Sequence, residues 1–271
     1  FLTEPSDASS NACVDLKTLG WSERLIEYAG VDYDKFPKIV PSTFVAGGVT
    51  AAAAAETGLA VGTRVVMGGG DGLCANVGAG SVKPGKSFSY VGSSAWIATT
   101  SEVPVLDEGM RTVTWAHIVP GLYAPNGTMQ SAGGAYAWLK NELGRFESFE
   151  AQRLGLSPYQ LIDAQIAESP AGSNGVIFLP YLLGERAPRW NVDARGAFLG
   201  LKMENGRRDM FRSVLEGVTM NLSIILDILR QQIPIDEILV IGGGAKGAVW
   251  RQMMADIYGA RIVAPALLEE A

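Results

Sequence analysis

The sequence has few of the residues that metal sites and disulfide frameworks need. It contains 2 cysteines, Cys13 and Cys74, and 1 histidine, His117, in 271 residues. The cysteines form neither a disulfide framework nor a metal-binding spacing, which fits a reduced, cytoplasmic setting. One histidine excludes a multi-histidine metal site and leaves a single candidate base for hydrolysis by serine or cysteine. Because His117 lies in an alternating, strand-like run, we expect it to serve in packing.

Basic runs and long apolar runs are also missing. The net charge is −6, with little clustering of Lys and Arg, which argues against nucleic acid and anionic membranes as partners. No uninterrupted apolar stretch approaches the roughly 20 residues that a membrane span requires. The sequence starts without an initiator methionine or a signal pattern, so we interpret residue 1 as a point inside a longer protein.

What the sequence does contain is a large apolar fraction, 48%, in a pattern typical of an α/β protein. Capping residues and apolar spacing predict helices. The predicted helices cover 22–29, 50–57, about 135–143, a segment from Ser157, about 207–230 (the longest and largely buried), and 249–258. A turn-rich segment at 80–85 is the predicted boundary between two domains, residues 1–79 and residues 80–271.

A glycine-rich segment near residue 70 carries the candidate catalytic carboxylate. Arg64–Met67 is a short apolar run that predicts a buried strand, and Gly68–Gly70 separates it from Asp71. Glycines allow close approach to the backbone. Asp71 could cap the helix that follows or act on a substrate, and these nine residues alone leave both roles open.

Residues 80–87 match the P-loop pattern letter for letter. A P-loop needs a strand before it and a helix after it, so that amides at the helix N-terminus surround the phosphate. Here a predicted helix comes before the segment and a predicted strand follows it. We therefore interpret it as a turn and expect Lys86 to have no role in phosphate binding.

Two further glycine motifs are candidates for nucleotide binding. Gly242-x-Gly244-x-x-Gly247 fits the dinucleotide fingerprint, but the next strand lacks the acidic residue that binds ribose, and little chain remains for a Rossmann sheet. The glycines Gly242–Gly244 suit a flat ligand such as adenine or ribose lying against bare backbone. Gly92-Ser93-Ser94 joins two predicted strands, and its amides and hydroxyls could bind phosphate or form an ordinary hairpin turn.

Taken in order, several motifs resemble the FGGY carbohydrate kinases, and within them most nearly the xylulose kinases. The motifs that carry the resemblance are Ser6-Asp7-Ala8-Ser9, Trp21-Ser22, Gly68-Gly69-Gly70-Asp71, Gly92-Ser93-Ser94, Pro180-Tyr181-x-x-Gly184-Glu185-Arg186-x-Pro188, Gly196-x-Phe198-x-Gly200-Leu201 and Gly242-Gly243-Gly244-Ala245-Lys246. Their number and order make the resemblance specific.

The resemblance implies an α/β fold of the actin/ribonuclease-H-like two-domain type, here incomplete, and ATP-dependent phosphorylation of a sugar hydroxyl. It implies that Asp71 is the catalytic base, with Gly72 beside it at the sugar. It assigns phosphate binding to Gly92, Ser93 and Ser94. It assigns adenosine binding to Gly242, Gly243, Gly244, Ala245 and Lys246.

The resemblance limits the partners to a small sugar and ATP with Mg²⁺, and it leaves a homodimer open.

Two departures from the family pattern affect these expectations. The first phosphate loop, with its carboxylate for Mg²⁺, is missing, so we expect residues 1–271 alone to be inactive. Gly72 stands where xylulose kinases usually have Asn, which weakens xylulose as the substrate against a polyol or another ketose. A nucleotide-binding module without catalysis is the alternative outside enzymes.

Overall fold

A six-stranded mixed sheet organises the larger part of the molecule. The computed structural model describes residues 1–265. The helices are α1 (Pro5–Ser9), α2 (Glu23–Tyr28), α3 (Ala51–Thr57), α4 (Asp71–Gly78), α5 (Gly133–Trp138), α6 (Arg145–Leu154), α7 (Pro158–Glu168), α8 (Arg207–Arg230) and α9 (Ala248–Tyr258). Short 3₁₀ turns cover Tyr33–Lys35, Ser173–Gly175 and Gly243–Lys246, and a π-helical turn covers Leu139–Leu143.

The strands are mostly short. They are β1 (Leu2–Thr3), β2 (Val14–Asp15), β3 (Gly20–Trp21), β4 (Lys38–Ile39), β5 (Val45–Gly48), β6 (Arg64–Val66), β7 (Ser87–Val91), β8 (Ala95–Thr99), β9 (Val113–Ala116), β10 (Tyr123–Met129), β11 (Ile177–Leu179), β12 (Ala197–Leu199), β13 (Glu237–Ile241) and β14 (Arg261–Val263). The large sheet has the order β14-β13-β7-β8-β10-β9. In it β13 runs parallel to β7 and β14, whereas β8 is antiparallel to β7 and β10.

The parallel pairing of β13 with β7 decides where the glycine motifs lie. In the register of this pair, Ile241 is opposite Tyr90, so both strands end at the same edge of the sheet. The turn at Gly92 follows β7 and the turn at Gly242 follows β13. Two motifs that are 150 positions apart in the sequence thus become neighbours.

Helix α8 lies at the centre of the hydrophobic core and covers the residues predicted from the sequence. Leu222, Ile225 and Leu226 have no exposed surface. The helix packs against β8, β10, β11 and the helices α7 and α9. At Gly217 it approaches the β11 backbone so closely that a Cβ atom would lie 2.2 Å from the carbonyl oxygen of Phe178.

Residues 64–67 differ from the prediction of a buried strand. The strand spans Arg64–Val66 and pairs only with β5, in a separate two-stranded sheet. Val65 is 45% exposed and Val66 is 50% exposed. Within residues 1–265 no further strand extends this sheet, so its apolar side chains face solvent in the described structure. Among these residues, no helix has both the length and the apolar character needed to cross a membrane.

Candidate active site

A cleft of about 780 Å³ opens at the sheet edge where β7 and β13 end. Of the predicted nucleotide-binding residues, Gly92, Ser93, Gly243, Gly244 and Lys246 line it directly. The other lining residues are Val91, Gly133, Tyr136, Ala137, Ser157, Tyr159, Gln160, Asp163, Gly247 and Trp250. The cleft therefore joins the turn after β7, the turn after β13 and the helices α5, α7 and α9.

The turn after β13 needs glycine at different positions for different reasons. Gly242 has φ of +87°, a left-handed conformation, and a Cβ there would lie 2.8 Å from the Val91 carbonyl oxygen. A Cβ on Gly244 would lie 2.4 Å from a methyl carbon of Val91, so this residue packs under the turn. A Cβ on Gly243 would meet nothing within 4 Å. Gly243 thus presents bare backbone to the open cleft, whereas Gly242 and Gly244 shape the turn.

The last two residues of the predicted adenosine motif point in different directions. Ala245 has no exposed surface, and its amide donates to the Gly242 carbonyl oxygen at 3.0 Å. Lys246 is exposed at the rim of the cleft. The motif predicted as a loop is a 3₁₀ turn over Gly243–Lys246, which leads into α9 through Gly247.

The predicted turn Gly92-Ser93-Ser94 connects β7 to β8 and is held in place by the start of α5. The amide of Gly133 donates to the Gly92 carbonyl oxygen at 2.8 Å, and the amide of Gly134 donates to the Ser93 carbonyl oxygen at 2.9 Å. A Cβ on Gly133 would lie 2.4 Å from the Gly92 oxygen, so only glycine allows this contact. Ser93 is exposed in the cleft.

The cleft is also lined by polar and aromatic groups that were not predicted from the sequence. The Tyr136 hydroxyl donates to Asp163 Oδ1 at 2.5 Å. The Tyr136 ring meets the Tyr159 and Trp250 rings edge to face, at centroid distances of 4.8 and 5.6 Å. Burial raises the pKa of the Asp163 carboxyl, although the Tyr136 hydroxyl lowers it in part. Burial and the neighbouring carboxylate raise the pKa of Tyr136 far above its usual range.

Asp71 lies apart from this cleft. It is the first residue of α4, is exposed, and accepts a hydrogen bond on Oδ1 from the Gly72 amide at 2.7 Å. The residue at the capping position is Gly70, and no side chain caps this helix. Gly72 faces Trp115 of the edge strand β9, where a Cβ would lie 3.6 Å from the indole. The positive end of α4 favours a carboxylate at this position.

Helix α1 fixes the backbone that leads to Asp71. The Ser6 hydroxyl accepts a hydrogen bond from the Gly70 amide at 3.0 Å and donates one to Glu4 Oε1 at 2.5 Å. Glu4, which is 2% exposed, also accepts from the Ser42 hydroxyl at 2.7 Å. At Gly69 a Cβ would collide with the Ile118 side chain at 2.4 Å. A buried carboxylate and a close glycine contact thus hold residues 69–70 in one position.

The P-loop-like segment is a turn that precedes a strand, as predicted, and His117 lies buried. Residues 80–86 form a turn between α4 and β7, and the exposed Lys86 ammonium pairs with Glu237 at 3.4 Å. His117 is 4% exposed, and its Nδ1 accepts from the Val119 amide at 2.8 Å while Nε2 contacts the Ser81 carbonyl oxygen at 3.0 Å. Burial lowers the pKa of His117.

A set of metal ligands does not occur in the described part of the chain. Within residues 1–265, no group of three or more Asp, Glu, His or Cys side chains could hold a metal ion. The Mg²⁺ that the sequence resemblance implies therefore has no complete set of protein ligands among these residues.

Comparison with known proteins places this architecture in one family. Residues 1–78 match the N-terminal domain of the FGGY family of carbohydrate kinases, and residues 88–271 match its C-terminal domain. The chain is 34% identical over 267 residues to a gluconokinase of Bacillus subtilis, covering 98% of this chain and 52% of that protein. It is 30% identical over 262 residues to a xylulose kinase of the same organism, covering 96% and 50%.

Structural comparison gives the same result. The crystal structure of a ligand-bound xylulose kinase from Lactobacillus acidophilus superposes with a TM-score of 0.90 at 27% identity, covering 99% of this chain and 53% of that one. The chain spans about half the length of the curated relatives it matches. The predicted actin/ribonuclease-H-like α/β fold is confirmed. The chain belongs to the FGGY family of carbohydrate kinases.

Proposed function

We propose that the whole protein transfers a phosphoryl group from ATP to a hydroxyl of a sugar or sugar acid. The observation that carries this proposal is the cleft formed where β7 and β13 end side by side. Phosphoryl transfer needs positioned phosphates and a group that takes the proton from the incoming hydroxyl. The cleft offers backbone amides and hydroxyls for the first need, and Asp71 offers a carboxylate for the second.

For the nucleotide, we assign the phosphates to Gly92, Ser93 and Ser94, whose turn is held by the Gly133 and Gly134 amides. The adenosine lies against the backbone of Gly243, with Lys246 at the rim, while Gly242, Gly244 and the fully buried Ala245 shape the turn. Support comes from the open space at Gly243, which leaves the backbone accessible to a flat ligand. Mg²⁺ supplies charge neutralisation to the phosphates in such reactions.

For the acceptor, we assign the role of general base to Asp71. An exposed carboxylate at the start of α4 can receive a proton from a hydroxyl that approaches it, and the Glu4–Ser6–Gly70 hydrogen bonds keep its backbone fixed. Gly72 has room for a small side chain, so its hydrogen atom leaves space beside Asp71 for the substrate.

Two substrates follow from the relatives. The sequence resemblance predicted xylulose, and a curated xylulose kinase is 30% identical. A curated gluconokinase is 34% identical, which favours gluconate as the second candidate.

We further propose a domain boundary between residues 79 and 80. A cytoplasmic location is also proposed, supported by the free thiols of Cys13 and Cys74.

The test is ADP release by the whole protein with ATP and a panel of acceptors that includes xylulose, other ketoses, gluconate and polyols. The proposal predicts turnover with at least one of them, and the preferred acceptor identifies the substrate. Nucleotide binding without ADP release for the entire panel would contradict the proposal and would favour a module that binds nucleotide without catalysis.

A further inference from the structure

The carboxylate of Asp163 has one oxygen engaged and one oxygen available to a ligand. Oδ1 accepts the Tyr136 hydroxyl. Oδ2 faces the turn that begins α9, since it would lie 3.2 Å from a Cβ built on Gly247. No donor within residues 1–265 forms a hydrogen bond to Oδ2, and Asp163 lines the cleft. The cleft thus contains an acceptor without a protein partner.

The surroundings of Asp163 restrict what can reach this oxygen. Tyr136 is 9% exposed and Trp250 is 1% exposed, and with Tyr159 they form the aromatic side of the cleft. The bare backbone of Gly243 lines the same cleft. Aromatic side chains and bare glycine backbone in one cleft suit a flat heterocycle and its attached sugar. A half-buried carboxylate accepts hydrogen bonds but donates none.

We propose that Asp163 Oδ2 accepts a hydrogen bond from the nucleoside part of the bound nucleotide, and that Asp163 is therefore the residue that selects the nucleoside. This inference rests on the proposed function of the cleft as the nucleotide site. A nucleoside offers such a donor from two places, the exocyclic amine of adenine and the ribose hydroxyls. The Tyr136 hydroxyl fixes the rotamer of Asp163 and leaves Oδ2 directed at the ligand.

The substitution that isolates this oxygen is Asp163→Asn. The amide keeps the size of the side chain and retains an oxygen that accepts from Tyr136, while an NH₂ group replaces the free acceptor. The matched control is Glu168→Gln on the same helix. It removes one carboxylate of an exposed side chain, 67% accessible, that lies outside the cleft.

Calorimetry on the whole protein measures binding of ATP, inosine triphosphate, 2′-deoxy-ATP and 3′-deoxy-ATP to the wild type and both variants. Asp163→Asn should weaken ATP binding at least about tenfold, the effect of losing a hydrogen bond to a charged group, with Glu168→Gln unchanged. The loss of affinity caused by Asp163→Asn should be smaller for the analogue that lacks the group donating to Oδ2. If inosine triphosphate is the analogue with the smaller loss, the donor to Oδ2 is the exocyclic amine of adenine. If it is a deoxy analogue, the donor is the ribose hydroxyl that this analogue lacks.

Three results would overturn the inference. One is unchanged ATP affinity in Asp163→Asn, and another is an equal loss for all four nucleotides, which would show that Asp163 only shapes the cleft. The third is equal affinity of the wild type for all four nucleotides. This result does not depend on whether the variant folds. If the wild type binds none of them, the proposed nucleotide site itself fails, which is a different outcome.

Discussion

At the scale of single residues, Gly243 and Gly244 in the turn after β13 should respond differently to substitution. A side chain at Gly243 would enter the open cleft, and Gly243→Val should fold normally and weaken ATP binding at least about tenfold, or ~1.4 kcal/mol. Calorimetry and thermal melting of the whole protein check both parts. Unchanged nucleotide affinity would show that the nucleotide does not lie against this backbone.

Gly244→Ala is the matched comparison, because its Cβ would collide with Val91 and approach Trp250. It should lower the melting temperature, as overpacking in a buried site costs about 1–3 kcal/mol. If instead Gly244→Ala melts like the wild type while Gly243→Val unfolds, the assignment of the two positions is reversed.

Single residues also show where sequence reasoning reaches its limit. The glycine turns could be predicted because glycine has few other reasons to occur in succession after a strand. Tyr136 and Asp163 are 27 positions apart on separate helices, and no spacing rule connects them. Their contact is produced by packing of α5 and α7 against α8, which only the folded chain reveals.

At the scale of elements, α1 gives a prediction for pH. Burial raises the pKa of the Glu4 carboxyl, but hydrogen bonds from Ser6, Ser42 and the Asp7 amide outweigh it and leave the pKa below its usual value. The unfolded chain therefore binds the proton more tightly than the folded one. Glu4 stabilises the fold above about pH 4.5, and this contribution is lost as the pH falls towards the folded pKa.

Glu4→Gln tests this with urea unfolding at several pH values. The wild type should exceed the variant in unfolding free energy most clearly near pH 7, and the difference should shrink as the medium becomes more acidic. A difference that stays constant from about pH 7 to about pH 4 would mean that the ionised carboxylate does not stabilise α1.

Helix α8 supplies a prediction about the core. Leu222 is fully buried, and Leu222→Ala should lower the unfolding free energy by about 2–5 kcal/mol, through lost burial and a residual cavity. Met220 on the same helix is 42% exposed, and Met220→Ala should cost less than about 1 kcal/mol. Denaturant titration compares them, and equal costs would contradict the packing of this helix.

Elements with strong end signals were predicted well. The helices at 23–28, 51–57, 158–168 and 207–230 have Ser or Thr caps, a proline at the first position or a long apolar pattern. The predicted helix over 135–143 is in fact α5 followed by a π-helical turn, because apolar spacing does not distinguish the two. The predicted burial of residues 64–66 was wrong, because a β-branched run predicts a strand but does not show which part of the protein covers it.

At the scale of the whole molecule, the parts before and after residue 79 meet at the edge strand β9 and its neighbour β10. The Ser9 hydroxyl accepts from the Ala116 amide at 3.0 Å, and the Tyr123 hydroxyl donates to the Leu16 carbonyl oxygen at 2.8 Å. The proposed nucleotide cleft lies at the ends of β7 and β13, and Gly72, next to Asp71, lies against Trp115 of β9. In the proposed reaction, the acceptor hydroxyl at Asp71 would have to meet a phosphate held at Gly92.

In the proposed function Asp71 takes the proton from that hydroxyl, and Asp71→Asn tests this role most directly. Asn keeps the size and helix position of the side chain but cannot accept the proton. In the whole protein we predict an unchanged melting temperature, unchanged ATP affinity and a turnover lowered at least about 100-fold, since general base catalysis contributes about 10²–10⁴-fold. Phosphorylation of the preferred acceptor at close to the wild-type rate would contradict the account.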